Sequence, residues 1–489
     1  MNFKKRDIVL FVLLAFFIGL LGAYTGLKLF QPEAQPNATT ESIDILPNDK
    51  KTSQNLDDEM DKVKQAYELI DQNYVGEVEE GQLLEGAIDG MLETLDDPYS
   101  SFMTSDATEK FNEQIQSSFQ GIGAEVSMVE GKVTIVAPIK DSPAEKAGLR
   151  PNDQILQVDE EELDGLNLNE AVEQIRGEKG SEVTLIVERK GSSEPFEVQI
   201  TRDEIPIETV YAEIEEVDGK KTGILDLRTF SETTSKEFDE ELTRLEEEGI
   251  EGLVIDVRGN PGGLLDSVEE ILYEFVPSDI PYLQIEDGEG KIEEHYTDLA
   301  EKKDYPINVV TDEGSASASE ILAVALKEIG YDTVGTTTFG KGTVQQAVPL
   351  GDQDEGNTIK LTFYKWLSPE GNWINDDGVE PTVEQEQPAF FHSNPIQVKD
   401  TFSYDDTNEN IENAQVMLQG LGFDTEREDG YFDEKTEQAV RSFQEENDLD
   451  ATGQLDEETA GAIEANVVEI IRSGEEDLQL QKALEVLYK

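Results

Sequence analysis

Cysteine is absent from this 489-residue chain, and with it go thiol nucleophiles, disulfides and cysteine metal sites. Histidine is almost absent, with His295 and His392 the only two. A hydrolase built on a Ser–His pair would have to recruit one of them, and each lies in a polar or Pro-flanked stretch that reads as ordinary surface. The same scarcity argues against zinc, so neither a metal nor an organic cofactor is expected. Basic residues are few: 38 Lys and Arg stand against 109 Asp and Glu, a formal net charge of −71. Such a field repels phosphate backbones and anionic head groups, which excludes nucleic acid as a partner. The carboxylates are spread along the whole chain, which marks a solvated acidic surface rather than one acidic site.

Long apolar runs are missing too, with one exception. Lys4, Lys5 and Arg6 precede a run from Ile8 to Phe30 broken only by Gly, Tyr, Thr and Lys28. About 20 such residues, rising ~1.5 Å each, cross a ~30 Å hydrocarbon core. The basic flank belongs in the cytoplasm, which puts the rest of the chain outside. No A-x-A-like site closes the run, so residues 1–30 read as a transmembrane anchor rather than a cleaved signal.

The remaining length predicts three or four folded units. Residues 31–55, rich in Pro, Asn and Thr, form a flexible linker. Residues 56–114 form a helical region in which Met60, Val63, Tyr67 and Ile70 share one helix face. Leu84, Ala87, Ile88, Met91 and Leu95 share another, ended by the turn Asp96-Asp97-Pro98-Tyr99. Packing is the default meaning of these faces, and the 56–95 helices are also the candidate surface for a homodimer. Residues 115–202 make a small mixed unit in which Gly121–Ala124 opens a strand. Ser142-Pro143-Ala144-Glu145 caps a one-turn helix, and Leu168, Ala171, Val172 and Ile175 mark a helix face. Residues 203–396 alternate strand and helix, which predicts an α/β core with a mainly parallel sheet and its reactive groups on the strand-end loops. Residues 405–467 carry three helical patterns, and 468–489 a final helix or tail.

Two short blocks in the α/β core could carry chemistry. Gly314-Ser315-Ala316-Ser317-Ala318-Ser319-Glu320 sits directly before an apolar helix. A serine there gains nearby N–H groups and a helix N-terminus for developing negative charge. The residues alone leave Ser315, Ser317 and Ser319 open. Phe339-Gly340-Lys341-Gly342-Thr343 offers a lysine in a tight, partly apolar setting, where desolvation lowers its pKa far enough for it to act as a base. Gly335–Thr343 also matches much of a phosphate loop. Thr343–Pro349 alternates like a strand, however, and leaves no helix N-terminus for phosphate.

Together these pieces resemble the carboxy-terminal processing (tail-specific) peptidases, over about residues 60–385. The resemblance rests on R-G-N-P-G-G, S-A-S-A-S-E and F-G-K-G-T-V-Q-Q. It implies a crotonase/ClpP-like α/β core and a serine endopeptidase using a Ser–Lys dyad. The middle serine, Ser317, is then the nucleophile, Lys341 the base and Gln345 the residue that orients it. The oxyanion donors become the backbone N–H of Ala318 and of Gly262 or Gly263. The Ser-to-Lys interval is one residue shorter than the common pattern, near Gly330-Tyr331. The 115–202 unit, with S-P-A-E-K-A-G-L-R-P-N-D-Q-I-L-Q-V-D, resembles an inserted PDZ domain. Gly121, Ile122, Gly123 and Ala124 would then bind a substrate carboxylate, with Arg176 sensing it. A-Q-V-M-L-Q-G-L-G-F and D-G-Y-F-D-E-K-T resemble a three-helix peptidoglycan-binding domain. The implied partners are proteins or peptides with exposed C-termini, the cell wall, and the membrane through residues 8–30. A wall-tethered PDZ adaptor with a silent protease domain is the alternative, disfavoured by intact Ser317, Lys341 and Gln345. A peptidoglycan hydrolase is a third reading, without a visible catalytic signature.

Overall fold

A computed structural model describes residues 50–489 apart from 80, 130, 191, 193 and 352–355. The apolar run at Ile8–Phe30 lies outside the described residues; among these, no helix is long and apolar enough to cross a membrane. Helix α1 (Lys50–Asn73) leaves Met60, Val63, Tyr67 and Ile70 exposed, so the face predicted to pack is open. Helix α2 (Gln82–Glu93) buries Ile88 but exposes Leu84 and Met91, with Leu95 just beyond it exposed as well.

Strand β1 (Ser101–Met103) and helix α3 (Ser105–Gln116) lead into β2 (Ser118–Gly121). An inserted domain follows. It is built from β3 (Ala124–Val129), β4 (Lys132–Pro138), the short α4 (Pro143–Lys146), β5 (Gln154–Val158), β6 (Glu161–Glu162), α5 (Leu168–Ile175), β7 (Glu182–Glu188) and β8 (Phe196–Thr201). Its sheet runs β3-β4-β5-β7-β8 and packs Ile135, Ile155, Leu185 and Ala171 into one core. The chain leaves by β9 (Asp203–Pro206), which pairs antiparallel with β2, so both ends of the insertion are clamped together.

The α/β core contains β10 (Val210–Val217), β11 (Lys220–Leu227), α6 (Thr234–Glu247), β12 (Gly252–Asp256), α7 (Leu265–Leu272), β13 (Leu283–Glu286), β14 (Ile292–His295), β15 (Ile307–Thr311), α8 (Ala318–Glu328), β16 (Asp332–Gly335), β17 (Thr343–Pro349), β18 (Thr358–Leu367) and β19 (Val383–Glu384). The main sheet runs β10-β11-β12-β15-β16-β19, parallel from β11 onward. Strand β12 is buried throughout, as a parallel strand covered on both faces must be. Leu253 and Ile255 point to one side, with Phe238, Leu242, Val268 and Leu322 of the three core helices. Val254 points to the other, a direct result of the two-residue strand period. A second sheet, β1-β18-β13-β14 with β17 on β18, carries the far side of the site.

The C-terminal helices α9 (Glu409–Gly420), α10 (Glu434–Glu446) and α11 (Glu457–Ser473) enclose Phe432, Phe443 and Ile463. Two buried glutamines explain much of their sequence pattern. Gln415 accepts the Gly430 N–H at 2.9 Å and donates to Thr436 at 2.8 Å. Gln444 repeats this with Gly453 at 2.8 Å and Thr459 at 2.9 Å. Helix α12 (Leu478–Val486), within the stretch expected as a final helix or tail, returns to the protease sheet. Ala483, Leu484 and Leu487 cover Ile224, Val254, Val310 and Val334, at about 1.5–3 kcal/mol for each large side chain buried. Asn308 donates to the Ala483 carbonyl at 2.7 Å, and both guanidinium ends of Arg258 reach Asp477 at 2.7 Å.

Asp226 and Asp256 are register partners on adjacent parallel strands. Burial and the charge of Asp256 push the Asp226 carboxyl up to about 6, despite its pairing with Arg228. The folded chain therefore binds this proton more readily than the unfolded chain does. Stability falls as pH rises from about 4 through about 6, where the charge must be carried in the fold. Asp226→Asn should raise stability above that window by about 2 kcal/mol and leave it unchanged near pH 4. Denaturant midpoints at the two pH values check this, and equal gains at both would refute it.

Candidate active site

The loop after β15 turns sharply into α8, and Ser317 sits at the turn with φ +55° and ψ −111°. A non-glycine residue in this strained region needs surrounding bonds to hold it, and such strain concentrates at functional sites. Asn260 supplies several of those bonds. Its carbonyl accepts the Ala316 N–H at 3.0 Å and the Ser319 hydroxyl at 2.9 Å, while its amide donates to the Leu227 carbonyl at 2.8 Å. Ser315 is equally committed, donating to the Val257 carbonyl at 2.8 Å. Both flanking serines are fully buried. Ser317 lies between them, partly exposed, with its hydroxyl in none of these bonds.

The Pro261-Gly262-Gly263 turn presses on the same serine. A Cβ on Gly262 would lie 2.9 Å from the Ser317 Cβ and from the Ala318 nitrogen, so only glycine fits. The Gly262 N–H, however, donates to Asn260 Oδ1 at 2.9 Å. That corrects one expectation: Gly262 has no free donor for an oxyanion, because a buried amide already uses it. Gly263 (φ +149°) and Ala318, the first residue of α8, make no such main-chain bond.

Lys341 enters from the loop between β16 and β17. Its N–H donates to Glu320 Oε2 at 2.8 Å, and its carbonyl accepts the Trp366 indole N–H at 2.8 Å. Its side chain reaches the Tyr99 ring, with Nζ 4.9 Å from the centroid. Burial, helped by the charge of Lys360, holds its pKa below that of a free lysine; Asp97 and Glu320 oppose the shift. Gln345 lies just past a bulge in β17, and its amide donates to Thr343 at 2.8 Å and Thr362 at 3.0 Å. Its donors spent, the amide keeps its oxygen as an acceptor.

Glu320 joins the two halves. The fully buried carboxylate accepts N–H bonds from Ser317 (2.8 Å), Lys341 (2.8 Å) and Gly340 (2.7 Å), and the Thr338 hydroxyl at 2.6 Å. Its only sequence signal is the S-x-x-E spacing at a helix start, which by itself marks a helix cap and not a brace between two loops. Neither histidine belongs to this network: His295 pairs with Glu269 at 3.0 Å and His392 faces Glu313 at 3.6 Å.

In the inserted domain, Ile122 and Gly123 form the link between β2 and β3, and their carbonyls accept the Ala144 and Ile139 N–H groups at 2.8 and 2.9 Å. Gly123 has φ +75°, and a Cβ there would lie 2.5 Å from the Ser142 Cβ. Neither Ile122 nor Gly123 donates its own N–H to main chain, whereas Gly121 is paired in β2 and Ala124 starts β3. Arg176, at the end of α5, lies over the Phe119 ring and pairs with Glu113 of α3 at 3.1 Å.

One buried carboxylate thus braces the main chain of a serine on a strained elbow and of a lysine whose pKa is lowered by burial, an arrangement compatible with a serine peptidase of the α/β type. Comparison with known proteins agrees. Residues 221–385 match the model of peptidase family S41, residues 120–200 a PDZ domain, and residues 407–463 a "Putative peptidoglycan binding domain". Residues 16–107 match the "Activating protease CtpB N-terminal domain". The chain is 49% identical to carboxy-terminal processing protease CtpB of Bacillus subtilis, covering 96% of each chain. It is 38% identical to CtpA of the same organism over 90% of this chain and 92% of the relative. A "Probable CtpA-like serine protease" of Staphylococcus aureus is 34% identical over 91% and 88%. The chain belongs to peptidase family S41, among the carboxy-terminal processing serine proteases, and carries a PDZ domain.

Proposed function

We propose that this chain is a membrane-anchored, extracytoplasmic endopeptidase that cuts proteins near their carboxyl ends with a Ser317–Lys341 dyad. Neutral Lys341 takes the Ser317 proton, the alkoxide attacks a peptide carbonyl, and water later releases the acyl-enzyme. Gln345 orients the lysine through its free amide oxygen, and the N–H groups of Ala318 and Gly263 hold the oxyanion. The PDZ loop Gly121–Ala124 takes the substrate carboxylate, chiefly through Ile122 and Gly123, with Arg176 beside it. Residues 8–30 anchor the chain, α9–α11 engage peptidoglycan, and the exposed apolar faces of α1 and α2 suit a homodimer.

The observation that carries this reading is the Glu320 carboxylate, bonded to the main chain of both Ser317 and Lys341. The test is cleavage of an unfolded protein with an apolar C-terminus by the purified full chain. Ser317→Ala should lose about 10³-fold or more in kcat with binding retained. Cleavage by that variant at the parent rate would sink the proposal, and release of wall fragments instead would point to a hydrolase.

A further inference from the structure

We propose that Tyr99 is a positioning residue for the base: its ring holds the Lys341 amine and stabilises the ammonium that forms as Ser317 is deprotonated. The inference rests on the dyad reading above. Both hydrogen bonds of Lys341 run through its main chain, and among the described residues no carboxylate or other acceptor bonds Nζ. What Nζ does meet is the face of Tyr99, 4.9 Å from the centroid, within the range where an aromatic quadrupole attracts a cation. The interaction is absent while the amine is neutral and full once it is protonated. It therefore favours the state reached in the transition state over the ground state, which is the condition for catalysis.

The main chain that carries the ring is fixed at several points. Asp97 accepts the Tyr99 N–H at 3.0 Å and the Ser100 hydroxyl at 2.6 Å, and Pro98 fixes the turn between them. Ser100 in turn accepts the Thr362 N–H at 3.1 Å, and Thr362 receives the Gln345 amide at 3.0 Å. Strand β1 then pairs with β18, Ser101 opposite Lys360. One strand thus anchors both Tyr99 and Gln345. Tyr99 also lines a cleft of about 690 Å³ with Thr343, Trp373 and Asp376, of which Lys341 is no wall.

The charged groups around the pair are Asp97 and Glu320, which favour the ammonium, and Lys360, which opposes it. Around the phenol itself, burial and the charges of Asp376, Glu320 and Asp97 push its pKa up, so it stays neutral.

Two variants of the full chain test this, each with its kcat divided by the fraction of sites labelled by a serine-reactive phosphonate. Tyr99→Phe keeps the ring and should match the parent. Tyr99→Leu keeps an apolar wall without a quadrupole. Its plateau kcat should fall about tenfold, and the acid limb of its pH profile should move to lower pH as the ammonium loses support. A misfolding effect would lower the labelled fraction and leave the limb in place. The proposal is overturned if the Leu variant keeps the parent limb, if its limb moves upward, or if Phe behaves like Leu. Lys341→Met, run alongside, separates the two readings, since activity in that variant would remove the dyad itself.

Discussion

Lys341→Met should lose about 10³-fold or more in kcat and fold at least as well as the parent. The two halves of this expectation have one cause. The lysine side chain is largely buried with no carboxylate among the described residues paired to its nitrogen, so its charged form is disfavoured in the fold. An apolar side chain of similar length removes that cost, while the main-chain bonds to Glu320 and Trp366 remain. Lys341→Arg should be equally inactive, because a guanidinium does not give up its proton in this range. The depressed pKa also sets the parent's pH dependence. Lys341 must be neutral to act, so activity climbs as pH rises through its pKa, and that limb lies below the titration of a free lysine. Turnover against pH, beside thermal midpoints for each variant, measures all of this. A Met variant that keeps most of its turnover, or one that unfolds early, contradicts the account.

Glu320→Ala should be the most damaging single change to the site's architecture. It strips the acceptor from three N–H groups and one hydroxyl in a fully buried setting. Orphaned donors of this kind cost about 1–3 kcal/mol each before water or rearrangement compensates, so a net loss of about 3–5 kcal/mol is expected. Glu320→Gln keeps the volume but turns one end of the group into a donor facing donors, at about 1–3 kcal/mol. In both, kcat per labelled site should fall about 100-fold, because Ser317 and Lys341 lose their common brace and a displacement near 1 Å costs that much. Denaturant unfolding together with site-normalised turnover checks the prediction. Parent-like values in Glu320→Ala would show that the brace is dispensable.

How much of this was legible in the sequence depends on the distance over which each residue acts. Strands β12 and β15 were legible because burial on both faces makes them mainly apolar, Leu253–Ile255 in one and Ile307, Val309 and Val310 in the other. Helix α8 was legible from its junction with the serine block. Choosing among Ser315, Ser317 and Ser319 from residues alone was not possible, since the choice turns on partners such as Val257 and Asn260, far away in the chain. Gly262 could not be told from Gly263 for a related reason. Its glycine is required by crowding against Ser317, yet its N–H is taken by a neighbouring amide. The apolar stripes of α1 and α2 gave the helices correctly but not their burial, because periodicity reports a face without saying what covers it. Tyr99 read as a helix stop, and its approach to Lys341 depends on the pairing of β1 with β18.

The position of α12 gives the enzyme a built-in order of completion. The sheet that carries Ser317 on its loops has Ile224, Val254, Val310 and Val334 on the face that Ala483, Leu484 and Leu487 cover. A chain emerging N-terminus first therefore leaves this face of the protease sheet uncovered until α9–α11 and then α12 have been made. Arg258, two residues before Asn260, waits equally long for Asp477. A chain cut short before Asp477 should therefore lack both the cover of this sheet face and the partner of Arg258.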